Sequence, residues 1–229
     1  MYDRNYAGQT LNFEPSGGLL NASLVMQDKQ TDTYWSIMSG QAVAGELSGT
    51  ALVELPVSSK MTWAEWYAKH PDTLVLSVTQ RTDDGETITL QDPGSDRYGR
   101  YWSDPSGFRG IEAEDDRLDT KEQIHAFLHD GIAYATALKR VIGGKTFELH
   151  DGTKVFIFRE VSDQMFRGSA AFMSPAGFEH RGGSWFEIST GAEFNAISRD
   201  FGGSVERLNG FDTFWYTWSL THTDTELLR

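Results

Sequence analysis

Thr62-Trp63-Ala64-Glu65-Trp66 and the following His70-Pro71-Asp72-Thr73 decide how the chain is read, because their chemistry-bearing residues occur twice. Trp63, Trp66, His70, Asp72 and Thr73 return in the same order and spacing as Trp215, Trp218, His222, Asp224 and Thr225, each displaced by 152 positions. Matched positions at one offset mark a copied supersecondary unit, so residues kept in both copies are expected first of all to serve folding. Working upstream, Val53-Glu54 answers Val205-Glu206. With a small slip, Trp35, five residues ahead of Gly40, answers Trp185, six ahead of Gly191. Thr62 and Glu65 have the spacing of a capping box, which predicts a helix running to about Lys69 before Pro71 ends it. Two tryptophans three residues apart then share one helix face.

Outward from these helices the chain reads as strands and tight turns. Leu11–Glu14 and Leu19–Asp28 flank a Pro-Ser-Gly-Gly cluster, and hairpins are expected around Asp83-Asp84-Gly85, His129-Asp130-Gly131 and His150-Asp151-Gly152. Leu74-Val75-Leu76 reads as a strand, Ala135–Val141 as a short helix, and Asp212 as the cap of the last helix. The sum is an α+β domain, mostly antiparallel β with a few short helices and a pseudo-twofold internal repeat. Its parts are a first half at 1–91, a connecting segment at 92–119 and a second half at 120–229.

Composition narrows the function classes. The 229 residues carry 33 acidic against 20 basic side chains, a net charge of −13 that repels nucleic acid and anionic lipid headgroups. No cysteine is present, which excludes disulfides, thiolate nucleophiles and cysteine-ligated zinc. Apolar runs fall short of the ~18 residues that a membrane-spanning helix needs. Met1-Tyr2-Asp3-Arg4-Asn5 has no apolar core of a signal peptide.

Several separated motifs together resemble one family, a domain of unknown function widespread in bacteria and archaea and often exported. They are Ser16-Gly17-Gly18-Leu19-Leu20-Asn21-Ala22-Ser23-Leu24-Val25-Met26, Trp35, Gly45 to Leu55, Trp63-Ala64-Glu65-Trp66 with His70-Pro71-Asp72-Thr73, Asp115-Asp116-Arg117-Leu118, and Phe214-Trp215 to Thr225. The resemblance implies an extracytoplasmic protein and supplies no agreed activity, cofactor or catalytic residue. Typical members look as if they carry a Cys-Pro-x-Cys segment before the point matched by Tyr2-Asp3-Arg4. This chain has no cysteine, so a metal or redox role for such a pair does not carry over.

The candidate ligand-binding residues are Trp35, Trp63, Trp66, His70, Trp185, Trp215, Trp218, His222, Asn21 and Met26. Indoles can act as platforms for a sugar or a cation, or can equally plug their own half's sheet. His70 and His222, each two residues before an Asp, suit either proton transfer or the capping of helix carbonyls. His125 and His129 point the same way on a strand around Phe127, and with His180 they are the candidate metal ligands, although a zinc site needs three or four convergent donors. The leading expectation is a binding or interaction domain taking a neutral or cationic small molecule or glycan in an aromatic, acidic cleft between the halves. The alternatives are a metal-assisted or acid/base enzyme built on His, Asp and Glu residues, and a structural subunit of an assembly.

Overall fold

Val155-Phe156-Ile157-Phe158 shows how this chain makes its core, for an uninterrupted apolar strand must be covered on both faces. In a computed structural model, which describes residues 1–55, 60–75, 79–89, 99–161 and 168–229, it is. Val155 and Ile157 join Phe127, Tyr134, Phe147 and Ala171 in one buried cluster, while Phe156 and Phe158 turn to Phe172, Phe178, Phe194 and Phe201 in another.

The chain divides into two compact units, Met1–Lys60 with Ser106–Arg229, and Met61–Pro105. In chain order the first unit contains β1 (Asn5–Tyr6), β2 (Gln9–Thr10), β3 (Phe13–Leu20), β4 (Ser23–Asp28), β5 (Tyr34–Ser36) and β6 (Ala42–Ala44). The second unit holds α1 (Trp63–Lys69), the hairpin of β7 (Thr79–Arg81) and β8 (Thr87–Thr89), and α2 (Gly99–Ser103). The first unit resumes with β9 (Gln123–His129), β10 (Ile132–Ala137), β11 (Lys145–Glu148), β12 (Lys154–Phe158), β13 (Ala170–Ser174), β14 (Phe178–Arg181), β15 (Ser184–Glu187), β16 (Glu206–Arg207), β17 (Phe211–Phe214), α3 (Trp215–Ser219) and β18 (Glu226–Leu227). Three four-stranded sheets result, ordered β3-β4-β5-β6, β17-β9-β10-β18 and β11-β12-β13-β16. Among the described residues the named strands pair antiparallel except β10 with β18, and an isolated bridge between Ile142 and Arg159 is also parallel. The β-rich, mostly antiparallel character with few short helices is as expected. No helix among the described residues is long and apolar enough to cross a bilayer.

β9 lies between two cores. Phe127 packs on the sheet that contains β12, and Ile124 and Ala126 face Trp215 and Trp218 of α3. Tertiary pairing overrides the local reading in several places. Ala135–Val141 was expected to be helical, yet Ala135 and Ala137 pair with Ala126 and Ile124 in β10, and only Leu138–Arg140 coil, as a 3-10 turn. Alanine's helix preference, below 1 kcal/mol per residue, is smaller than what the strand gains from pairing and burial. Asp212 does not cap α3, whose first turn follows Phe214; it lies within β17. Leu74 and Val75 are not in a strand, Leu76 lies outside the described residues, and β7 is described from Thr79. Of the expected connection, 92–98 lie outside the described residues, and 99–119 contain α2 and one 3-10 turn at Phe108–Gly110.

Two buried carboxylates organise the turns. Asp28, at the end of β4, accepts from Trp35 Nε1 at 2.8 Å and from the Gln30 and Thr31 amides at 3.1 and 2.7 Å. Glu187, closing β15, accepts from Ser174 Oγ at 2.5 Å, Thr190 N at 2.7 Å and Thr190 Oγ1 at 2.6 Å. Burial alone would raise the Glu187 carboxyl, but the Ser174, Thr190 and Ser189 donors prevail and hold it at about 2. A carboxyl held below its unfolded value of 4.5 stabilises the fold above that pH, and the contribution is lost as pH falls toward 2. The shift corresponds to about 3 kcal/mol. Acid titration followed by near-UV circular dichroism is therefore expected to show wild type losing stability more steeply than Glu187→Gln between pH 4.5 and 2. Parallel acid profiles would count against this role.

Candidate functional site

The pairing of β9 with β17 sets His125 directly opposite Asp212. On the face turned to the β12 sheet, His125 Nδ1 lies 2.8 Å from Asp212 Oδ1. Arg159, just beyond β12, donates from Nη1 to Asp212 Oδ2 at 2.8 Å. Ser169, just before β13, adds its amide at 2.9 Å and its hydroxyl at 3.1 Å to the same oxygen. His125 of the neighbouring strand and two residues flanking β12 and β13 thus converge on one carboxylate of β17 inside the molecule, where His125 and Arg159 are both buried. Desolvation would raise the Asp212 pKa, but His125, Arg159 and Ser169 together lower it. With Nδ1 tied to the carboxylate, the imidazole directs Nε2 toward Gly210, and Nε2 has no hydrogen-bond partner among the described residues. A Cβ at position 210 would stand 2.7 Å from Nε2 and 2.9 Å from the Ala126 carbonyl, so only glycine fits there. Arg159 also borders a cavity of about 350 Å³ lined by Lys121, Glu122, Gln123, Leu138, Lys139 and Ile142. Lys139 pairs with Glu122 there at 2.7 Å.

The repeated tryptophan motif has the same local frame at both positions. Trp66 Nε1 donates to Thr73 Oγ1 at 2.8 Å, and Trp218 Nε1 donates to Thr225 Oγ1 at 2.9 Å. His70 N and His222 N each reach the preceding tryptophan carbonyl at 2.8 Å. The imidazoles lie over the indoles with centroids 4.2 and 4.1 Å apart. Burial differs completely: Trp63 and Trp66 are 53% and 39% exposed, whereas Trp215 and Trp218 are 0% and 1% exposed. A similar hydrogen-bond pattern occurs upstream. Ser36 N reaches Gln41 O and Gly40 N reaches Ser36 O, both at 2.9 Å; Glu187 N reaches Ala192 O and Gly191 N reaches Glu187 O, again at 2.9 Å. In this frame Trp35, paired with Ala42, corresponds to Phe186, bridged to Glu193, rather than to Trp185.

The candidate residues therefore divide. Trp35, Trp215 and Trp218 are core, and Trp35 is ringed by Tyr6 and Phe13. Half-buried Trp185 donates to Gly143 O at 2.9 Å and lies beside His180. Asn21 ties the β3–β4 turn to the end of α3 by donating to Leu220 O at 2.8 Å, and Met26 pairs with Trp35 across β4 and β5. His222 is half-buried, its pKa lowered by desolvation. Of the candidates, Trp63, Trp66 and His70, with Tyr67, form an exposed aromatic group among the described residues. His125 and His129 do share a face of β9, but the first turns into the Asp212 network and the second pairs with Asp151 at the surface, 2.9 Å away. Sequence reading missed Asp212, Arg159 and Ser169, whose distance along the chain from His125 leaves no local signal.

A family model described as a protein of unknown function (DUF3179) matches residues 1–225. The chain belongs to that family. Neither the curated proteins nor the solved structures contain a match.

Proposed function

We infer that this is a binding domain that arose by internal duplication, and that the first copy of the tryptophan helix has become its recognition surface. The observation that carries this reading is the contrast in burial. Two motifs with matching hydrogen bonds keep their indoles, yet the second uses them as core and the first presents them to solvent. Folding explains the second pair; the exposed pair calls for another use. Trp63 and Tyr67 stand 5.6 Å apart with planes 33° from parallel, a broad shallow aromatic surface, and Trp66 is braced by His70 and Thr73. Such surfaces take the apolar face of a sugar ring or a cation. The net charge of −13 disfavours anionic ligands, which leaves neutral glycans and cationic small molecules.

Calorimetry with cello-, xylo- and chito-oligosaccharides and with tetramethylammonium is expected to yield one binding class. Trp63→Ala and Trp66→Ala should each weaken it about tenfold, equivalent to ~1.4 kcal/mol. Silence across the panel, or binding indifferent to both substitutions, would refute the reading.

A further inference from the structure

His129-Asp130-Gly131 and His150-Asp151-Gly152 are the same tripeptide, and each turns a hairpin, the first between β9 and β10 and the second between β11 and β12. Asp130 and Gly131 take positive φ of 47° and 78°, and Gly152 takes 87°, so both tips are tight turns. The strands below them share one core through Phe127, Tyr134, Leu149 and Val155, which brings the tips together on a rigid base. Where they meet, His129 Nε2 lies 2.9 Å from Asp151 Oδ2 and 3.9 Å from Asp130 Oδ2. One donor atom from each of the three residues falls within 4.8 Å of the others.

The short contact is an ordinary hydrogen bond, and the three donors together also lie close enough to share a metal ion. Nitrogen and oxygen donors at ~2.0–2.2 Å from a tetrahedral centre stand about 3.3 Å from one another. The two nitrogen–oxygen distances bracket this value. The donors are also held in place. Thr153 donates its amide to Asp151 Oδ1 at 2.9 Å and its hydroxyl to Asp151 Oδ2 at 2.8 Å, the kind of outer support that orients a ligating carboxylate. Only 16% of the His129 side chain is exposed, so its ring has little freedom to turn away.

We propose that the paired hairpin tips form a binding site for a divalent transition-metal ion of the zinc class, with His129 Nε2 and the carboxylates of Asp151 and Asp130 as ligands and water completing the shell. Imidazole with two carboxylates suits zinc, cobalt or nickel, whereas calcium asks for six to eight oxygens. The ion takes the Nε2 lone pair and replaces the hydrogen bond to Asp151.

Tag-free protein titrated with zinc chloride by calorimetry is expected to take up one ion per chain, with no comparable response to calcium chloride. His129→Ala and Asp151→Asn should each weaken zinc binding at least tenfold, and His180→Ala should leave it unchanged. Circular dichroism checks that the variants are folded. If the Asp151 change perturbs its turn, Asp130→Asn replaces it, since that side chain is 79% exposed and free of the turn's hydrogen bonds to Thr153. Absence of zinc uptake, unaltered binding in His129→Ala, or a preference for calcium would overturn the proposal.

Discussion

Asp212→Ala is expected to destabilise the protein by about 3–5 kcal/mol, a large part of the 5–15 kcal/mol that usually separates folded from unfolded states. The carboxylate accepts from His125, from Arg159 and twice from Ser169, at 2.8 to 3.1 Å. Its removal withdraws the negative charge facing a buried guanidinium and strips the Ser169 amide of this acceptor. The loss is dominated by desolvated polar groups left behind rather than by the attraction removed, which is why deleting one partner costs more than the pair contributes. Asp212→Asn, with its shape kept and its charge removed, should fall between wild type and alanine. Because the Asp212 carboxyl titrates below its ordinary value, its contribution is present above the unfolded carboxylate range and is lost as pH falls through the folded value. Urea unfolding of the three proteins at neutral pH reads the order directly, and an alanine variant within 1 kcal/mol of wild type would show that the network is ornamental.

This network also marks the boundary of what the sequence can disclose. Capping boxes, His-Asp-Gly turns and strand alternation are local, and each appears where the residues place it: Thr62 caps α1, and Gly131 and Gly152 turn their hairpins. The two Trp-x-x-Trp-x-x-x-His stretches make similar indole-to-threonine hydrogen bonds, which span only seven residues. Burial is not local. The five residues shared by 62–73 and 214–225 do not announce which indoles are core, although Glu65 and Lys69 in the first stretch, answered by Thr217 and Thr221 in the second, already make the first helix the more polar. That outcome depends on Ile124, Ala126, Ala135 and Met38, which cover Trp215 and Trp218 from distant parts of the chain. The same reasoning explains why Asp212 reads as a helix cap in one dimension and as the centre of a charged cluster in three. His129 was a visible candidate, but Asp151 lies 22 residues away on another hairpin, and only the packing of the two sheets joins them.

The repeated motif permits a direct measurement of what burial is worth, with local chemistry held constant. Trp218→Ala is expected to cost about 3–5 kcal/mol, since it empties a large volume beside Ile124, Ala126 and Ala135 that the surrounding strands cannot easily collapse to fill. Trp66→Ala removes the same side chain and the same kind of hydrogen bond to a threonine hydroxyl, but from an exposed position, and is expected to cost about 1 kcal/mol. The threonines should repeat the pattern. Thr225→Val strands a buried indole N–H at a cost of ~1–3 kcal/mol, while Thr73→Val leaves an N–H that water can satisfy. Denaturant unfolding followed by far-UV circular dichroism measures all four. Equal losses at Trp66 and Trp218 would mean that the first indole is as much a packing residue as the second. The contrast in burial would then no longer support recognition by the exposed face of α1.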